Sequence, residues 1–192
     1  VFEATARQHA ARPAMARRRG SAWERTSWGE YRETVRRAAR ALVASGVEAG
    51  SGIVILAANR PEWFVASLAG ASVGARVVGI YTNSTPEQCR YIAEHAEAGL
   101  AVVDGPEALA KLDGAGGRPQ RLRSVVMLDG TSDAAGVSSW PEFVARGDEA
   151  HEAEVARRLA ALTGSTVSTL IYTSGTTGPP KGVMLTQRNL AF

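Results

Sequence analysis

Short apolar runs alternate with helix-start signals through the middle of this sequence. The run at residues 53–57 is too short for a helix and apolar on both faces, which indicates a buried strand in a parallel sheet. The predicted strands cover residues 53–57, 76–81, 100–103 and 123–128. Ser27, Asn59 and Thr85 each precede apolar residues at helical spacing and are the predicted N-caps. Strands and helices in this order form βαβ units, so we predict an α/β fold with a largely parallel sheet and helices on both faces.

The regions outside these units have other patterns. Residues 13–28 surround an Arg-Gly-Ser turn and predict a hairpin. Residues 129–138 are small and polar and predict a surface connection, and two helices are expected at 139–147 and 149–162. Near the end, Thr186 is a predicted N-cap with only a few residues after it.

Composition narrows the class of protein and of partner. The 192 residues are 45% hydrophobic and 21% charged, with a net charge of +3, as expected for one soluble globular domain. The densest basic cluster, Arg17–Arg19, lacks the charge and the interleaved aromatics of a nucleic-acid arm, so no nucleic-acid partner is expected. Cys89 is the single cysteine, which excludes an internal disulfide and fits a reducing compartment. The longest apolar stretch, residues 53–58, is far below the ~18 residues of a spanning helix, and the expected location is cytoplasmic.

The stretch from Tyr172 to Val183 carries the chemistry. Between Thr173 and Gly182 it holds four hydroxyl residues, three glycines, two prolines and one lysine, with apolar runs on both sides. Glycines let backbone N–H groups approach an anion, hydroxyls donate hydrogen bonds, and Lys181 brings a positive charge to phosphate oxygens. The stretch therefore predicts a loop that holds a polyphosphate.

Two familiar nucleotide-binding loops do not fit. A Walker loop places its lysine directly after the last glycine and at a helix start, whereas two prolines separate Gly178 from Lys181 and a Val-Met-Leu strand follows. A Rossmann fingerprint would have to use Gly114–Gly117, where Pro119 stands in place of the third glycine and no strand precedes. We therefore expect the stretch from Gly178 to Lys181 to join two strands, and Gly114–Gly117 to lie in a surface loop.

Residues 172–183 resemble the phosphate-loop signature of the adenylate-forming enzymes, with Pro179 in its variable slot. The resemblance extends over most of the chain, through Trp28-Gly-Glu-Tyr31, Asn59-Arg-Pro-Glu-Trp63 and residues 79–91, the last of which is most similar to the long-chain acyl-CoA synthetases. Two departures are Gly50-Ser51-Gly52, where relatives have Gly-Asp, and Gln187, where they have His. We take the first as a turn variant, and the second as a change in local helix capping or packing.

The resemblance implies a two-step reaction with ATP, Mg²⁺ and coenzyme A. A fatty-acid carboxylate attacks the α-phosphate of ATP, pyrophosphate leaves, and the thiol of coenzyme A then displaces AMP. By the same resemblance, the residues that bind the phosphates are those of the loop, and Thr173 also lies near the Mg²⁺. The implied nucleotide-binding residues are Thr173, Ser174, Gly175, Thr176, Thr177, Gly178 and Lys181.

The resemblance also implies that this chain is part of a larger enzyme. The chain begins at Val1 and ends at Phe192, and we expect a partial N-terminal AMP-binding domain, with a hairpin at about 13–28, βαβ units at about 29–172 and the phosphate loop at 172–183. The adenine, ribose, acyl and coenzyme A sites and the C-terminal domain would lie beyond it, so no catalytic residue is assigned and the piece alone is expected to be inactive. None of His9, His95 and His151 has a motif around it, and each is expected on a surface or helix face.

Alternatives remain at this stage. Another adenylate-forming ligase would act on short, aryl or amino acids. A truncated, non-catalytic nucleotide-binding protein belongs to a different class. Oligomeric state and acyl chain length are undetermined, and a long-chain substrate leaves peripheral membrane contact open, although no amphipathic basic helix supports it.

Overall fold

A seven-stranded sheet forms the centre of the computed structural model, which describes residues 1–114, 116–173 and 179–191. The strands are β1 (Pro13–Arg19), β2 (Ala22–Ser27), β3 (Gly52–Leu56), β4 (Arg76–Gly79), β5 (Ala98–Val103), β6 (Ser124–Met127), β7 (Val137–Ser139), β8 (Val167–Thr173) and β9 (Lys181–Thr186). The helices are α1 (Phe2–Gln8), α2 (Trp28–Ala44), α3 (Pro61–Ser72), α4 (Pro86–His95), α5 (Pro106–Asp113), α6 (Trp140–Ala145), α7 (Glu152–Ala161) and α8 (Gln187–Leu190), with a 3-10 turn at Glu149–His151.

The sheet is parallel except at one edge. Its strand order is β7-β6-β5-β3-β4-β8-β9, and every neighbouring pair is parallel apart from the antiparallel pair of β8 and β9. The hairpin of β1 and β2 forms a separate two-stranded sheet. The α/β class with a largely parallel sheet, predicted from the alternation of strands and helices, is confirmed.

Helices cover both faces of the sheet, as predicted. Side chains of successive strand residues point to opposite faces, and β3 divides accordingly between two apolar cores. Ile53 and Ile55 lie in the core with residues of α2, α3, α6 and α7, while Val54 and Leu56 lie in the core with residues of α4 and α5. The two cores hold the sheet rigidly between layers of helices, and they fix where its carboxyl edge lies.

Three of the four predicted N-caps, Ser27, Thr85 and Thr186, are confirmed. The Ser27 and Thr85 side chains each accept a hydrogen bond from the backbone of the third helical residue, and Glu30 and Gln88 complete the two capping boxes. The prediction of Asn59 as an N-cap was wrong. Arg60 is the N-cap of α3, and its side chain makes no capping hydrogen bond. The physical reason is Pro61, which disfavours helical angles in the residue before it, so Arg60 is extended and the helix begins at the proline.

Three elements were not predicted from the sequence: helix α1, helix α5 and strand β7. Helix α5 begins at Pro106, and its N-cap is Gly105, which has no side chain to bond, so no capping residue marks its start. Strand β7 lies at the end of the stretch expected to be a surface connection, and it pairs with β6 at the edge of the sheet. Three residues at a sheet edge are too few for a periodic pattern to stand out.

Among the helices of the described ranges, none is long and apolar enough to cross a bilayer.

Candidate phosphate-binding site

Two strand ends flank the predicted phosphate loop. Strand β8 ends at Thr173, β9 begins at Lys181, and the ladder pairs Thr173 with Lys181 and Tyr172 with Gly182. Residues directly opposite in an antiparallel pair have Cα atoms about 4.5–5.5 Å apart. The first and last residues of the predicted phosphate set are therefore neighbours, although they are eight positions apart in the sequence.

Thr173 and Lys181 share one face of the hairpin. Opposite residues in an antiparallel ladder point to the same side, and both side chains are exposed. A hydroxyl donor thus lies beside an ammonium group at the mouth of the loop. This is a suitable arrangement for phosphate oxygens, which accept hydrogen bonds and attract positive charge. Ser174, Gly175, Thr176, Thr177 and Gly178, the other predicted binding residues, lie outside the described residues.

The opposite face of the hairpin is held by α4. The Tyr172 side chain is buried, and its hydroxyl lies 2.7 Å from Nδ1 of His95. The hydroxyl of Tyr91 donates to the carbonyl oxygen of Pro180 at 3.0 Å. Burial raises the pKa of Tyr172 because the phenolate would lose its hydration, so the hydroxyl stays protonated at neutral pH.

An apolar cavity of about 720 Å³ adjoins the exposed face of the hairpin. Its walls come from α3, from the hairpin and from α8, and include Trp63, Leu68, Ile171, Leu185 and Leu190. At one end it reaches the carboxyl ends of β3 and β4 at Asn59 and Thr82. Ligands of open α/β sheets bind outside the carboxyl ends of the strands, so the loop and this cavity lie at the edge where a ligand is expected.

A second cavity, of about 530 Å³, lies at the carboxyl ends of β3 and β5. Two of the carboxylates that line it, Asp104 and Asp129, lie beside Arg60. Arg60 pairs with Asp129 at 2.5 Å and lies 3.5 Å from Asp104, whose other carboxylate oxygen accepts from the backbone N–H of Ala58 at 2.6 Å. The bond from Arg60 lowers the pKa of Asp129. This network ties loops together, and within the described ranges no three acidic, histidine or cysteine residues are placed to hold a metal ion.

The geometry agrees with the exclusion of a Walker loop. Lys181 begins strand β9, and the helix begins only after Thr186. The Thr186 hydroxyl accepts from the backbone N–H of Asn189 and completes a capping box. No helix dipole follows the lysine, so binding of phosphate here depends on the loop and on the two strand ends.

Gln187, one of the two departures from the resembled family, has a packing role. Its Nε2 lies 3.4 Å from the carbonyl oxygen of Ala71 and 3.3 Å from the hydroxyl of the buried Ser168. The side chain thus joins the start of α8 to α3 and β8. The effect of the change from the relatives' His on helix capping or packing stays a prediction.

His95 was expected on a surface or helix face, and it is exposed on α4. Its contact with Tyr172 was not predicted from the sequence. The available signal was the spacing of Tyr91 and His95, four residues apart, which puts both on one face of a helix. His151 lies 3.9 Å from Asp148.

Known proteins were compared with the whole chain. The model of the family described as "AMP-binding enzyme" matches residues 2–192. The long-chain-fatty-acid–CoA ligase ACSBG2 of Xenopus laevis is 31% identical over 194 residues, covering 100% of this chain and 26% of the relative. The long-chain-fatty-acid–CoA ligase heimdall of Drosophila melanogaster is 36% identical and covers 88% of this chain and 26% of its own length. The chain thus spans about a quarter of the length of these relatives.

A solved structure supports the same fold. The A-PCP didomain of carboxylic acid reductase from Segniliparus rugosus, solved with AMP, matches with a TM-score of 0.79 at 21% identity, over 99% of this chain and 31% of that one. Because the family model covers almost every residue, the chain belongs to the AMP-binding enzyme family.

Proposed function

We propose that the full-length protein activates a long-chain fatty acid with ATP and passes the acyl group to coenzyme A. The observation that carries the proposal is the match of this whole chain to long-chain-fatty-acid–CoA ligases at 30% identity or more. The pair of Thr173 and Lys181 at the mouth of the loop supports it, because it offers a donor and a cation to phosphate oxygens.

The proposed first step forms one bond and breaks one. A carboxylate oxygen of the acid attacks the α-phosphorus of ATP, and the bond to the pyrophosphate oxygen breaks. Negative charge grows on the departing pyrophosphate, so donors and cations already in place lower the barrier. In this chain Lys181 would neutralise that charge, and the hydroxyls of Thr173, Ser174, Thr176 and Thr177 would donate to its oxygens. The acyl-adenylate is then attacked by the thiol of coenzyme A, and AMP leaves.

Mg²⁺ is the ion that would accompany the phosphates. The exposed Thr173 hydroxyl suits it, because Mg²⁺ prefers oxygen ligands and commonly takes few from the protein and the rest from phosphates and water. When bound, the ion neutralises phosphate charge. The described residues offer no acidic cluster beside Thr173, so Thr173 is the one ligand proposed from this chain.

The substrate class is the part that a direct experiment must decide. The alternative, a ligase for short, aryl or amino acids, shares this fold, since a solved anthranilate CoA ligase matches with a TM-score of 0.76 at 21% identity. We propose a cytoplasmic enzyme, with membrane contact only through its lipid substrate.

Exchange of labelled pyrophosphate into ATP tests the proposal. The full-length protein is given medium- and long-chain fatty acids, an aryl acid and an amino acid in parallel, each with Mg²⁺. We expect exchange with the long-chain acids above all others. Exchange with aryl or amino acids alone would establish the alternative, and no exchange with any acid would overturn the proposed function.

Replacement of Lys181 separates the two half-reactions. Lys181→Ala should slow pyrophosphate exchange about 100-fold, the usual effect of removing one electrostatic contact to a developing charge. Thioester formation from supplied acyl-adenylate should be unchanged, because pyrophosphate departs only in the first step. Lys111→Ala is the matched control, since Lys111 lies on α5 and donates to the carbonyl oxygen of Thr82. An equal loss in both half-reactions would contradict the assigned role of Lys181.

A further inference from the structure

We propose that Tyr91 and His95 of α4 are positioning residues that fix the two ends of the phosphate loop. The inference rests on the proposed function for what the loop binds, but its structural part stands on the contacts of α4. Each residue holds one end: His95 contacts the residue before Thr173, and Tyr91 contacts the residue before Lys181.

The contact of Tyr91 fixes the strand that leaves the loop. Its hydroxyl donates to the carbonyl oxygen of Pro180 at 3.0 Å. A proline has no N–H and cannot donate to a ladder, so its carbonyl is the one backbone hydrogen-bonding group at that position. The bond places Pro180, and therefore the start of β9 at Lys181, relative to α4.

The contact of His95 fixes the strand that enters the loop. Nδ1 of His95 lies 2.7 Å from the hydroxyl of Tyr172, which is only 8% exposed. The ring of His95 meets the ring of Tyr172 edge-on, at 84° with centroids 5.6 Å apart. The position of Thr173, the next residue, follows from that of Tyr172.

The three rings form one cluster. Tyr91 and His95 stack with centroids 5.5 Å apart at 27°, and Tyr91 meets Tyr172 edge-on at 88°. Gly182 makes room for this cluster, because a Cβ built there would lie 3.2 Å from Cζ of Tyr172. Aromatic pairs in these geometries stabilise a fold beyond the burial of their area, so the cluster favours one arrangement of the hairpin.

Helix α4 is a firm base for the two contacts. Its start is fixed by the Thr85 and Gln88 capping box, and Cys89, Ile92 and Ala93 anchor its inner face in the core. The outer turn carries Tyr91 and His95, four residues apart and side by side. Small displacements of groups that contact a transition state lower rates steeply, so a base that places both loop ends together serves the reaction without touching the nucleotide.

Hydrogen exchange of the full-length protein without nucleotide tests the structural part. Tyr91→Phe removes the bond to Pro180 and keeps the ring, and His95→Ala removes the contact to Tyr172. We expect amides at the end of β8 and the start of β9 to exchange about threefold to tenfold faster in either variant, the usual effect of one hydrogen bond. His95→Asn, which places a polar atom near the position of Nδ1, should restore slow exchange. Unchanged exchange in Tyr91→Phe and His95→Ala would overturn the proposal.

The same variants are then compared in the two half-reactions. The KM for ATP in pyrophosphate exchange should rise about threefold to tenfold, while thioester formation from supplied acyl-adenylate stays at the wild-type rate. Tyr31→Phe is the matched control, because Tyr31 is a buried tyrosine in the core on the other face of the sheet. A parallel fall in both half-reactions would indicate general destabilisation and contradict a positioning role.

A double variant tests whether His95 acts through Tyr172. His95→Ala and Tyr172→Phe each remove the same contact, so their effects on the KM for ATP should not add when combined. Additive effects would overturn the assignment of His95 to this contact. If the wild-type protein shows no pyrophosphate exchange, the proposed function fails, whereas the hydrogen-exchange result still decides the positioning role.

Discussion

Strand β3 and the β8–β9 hairpin belong to one sheet but have opposite environments. All five residues of β3 are buried, and it pairs on both sides with parallel strands. In β8 exposure alternates along the strand, and β9 has no fully buried residue. Helices cover both faces of β3, whereas described residues of α4 contact the hairpin on one face at the loop end and leave Ile171 and Val183 half-exposed on the other.

The difference in burial shows that β3 supports the sheet, whereas the hairpin presents residues to a ligand. Segments with few buried contacts open locally at lower free energy than segments in the core. Strand β3 is buried on two faces and resists opening, whereas the hairpin opens more readily. The hairpin carries Thr173 and Lys181 where a ligand can reach them. The contacts from α4 compensate on the covered face for the apolar burial that the exposed face lacks.

Loss of a buried side chain from β3 should have the largest effect on the free energy of unfolding. Ile55→Ala in β3 should lower the free energy of unfolding by about 2–5 kcal/mol, because it leaves a cavity in a core that cannot collapse. Ile171→Ala in β8, where the side chain is 46% exposed against 0% for Ile55, should lower it by less than about 1 kcal/mol. Urea unfolding of the 192-residue chain measures both. Equal losses would show that the hairpin is as buried as the centre of the sheet.

A smaller effect concerns the covered face of the hairpin. Gly182→Ala should lower the free energy of unfolding by about 1–2 kcal/mol, because the new Cβ would crowd the Tyr172 ring that His95 and Tyr91 hold in place. Gly99→Ala is the control, since a Cβ at Gly99 would lie more than 4 Å from the heavy atoms of the described residues other than Gly99 and its two chain neighbours. That variant should leave stability unchanged or raise it by up to about 1 kcal/mol. If the two substitutions have the same effect, the ring cluster is not rigid.

Substitution of Gln187, which contacts the end of β8 away from the loop, should have the smallest effect on the free energy of unfolding. Gln187→Ala removes two long hydrogen bonds, to Ala71 and to Ser168, and should lower the free energy of unfolding by about 0.5–1.5 kcal/mol. Gln187→Glu is the informative partner, because it keeps the shape and loses the donor. Thermal unfolding of the three chains gives the order wild type, then the two variants together. A Glu variant as stable as wild type would assign the effect to packing instead.

Local signals explain how much of the fold could be predicted. The buried run of β3 and the capping boxes at Ser27 and Thr85 are decided by residues close in sequence. The start of α3 was misplaced by one residue because Asn59 is the better capping side chain, whereas Pro61 decides where the helix begins. Helix α5 and strand β7 were missed because one lacks a capping side chain and the other is three residues long.

The candidate site likewise has one part that could be predicted from local sequence and one part that could not. Its chemistry is written in residues 172–183, where hydroxyls, glycines and one lysine are adjacent in the chain, and that pattern needs no tertiary contact to be recognised. The placement of Thr173 beside Lys181 depends on the register of β8 and β9, and the contacts of Tyr91 and His95 depend on α4 packing against that hairpin. Residues 77 positions or more apart meet there, and no local propensity encodes such a meeting. The α/β class and the phosphate-loop chemistry could be predicted from the chain alone, because both follow from short-range patterns of polarity and backbone freedom. The side chains that hold the loop could be identified from tertiary contacts alone, because burial and strand order bring them together.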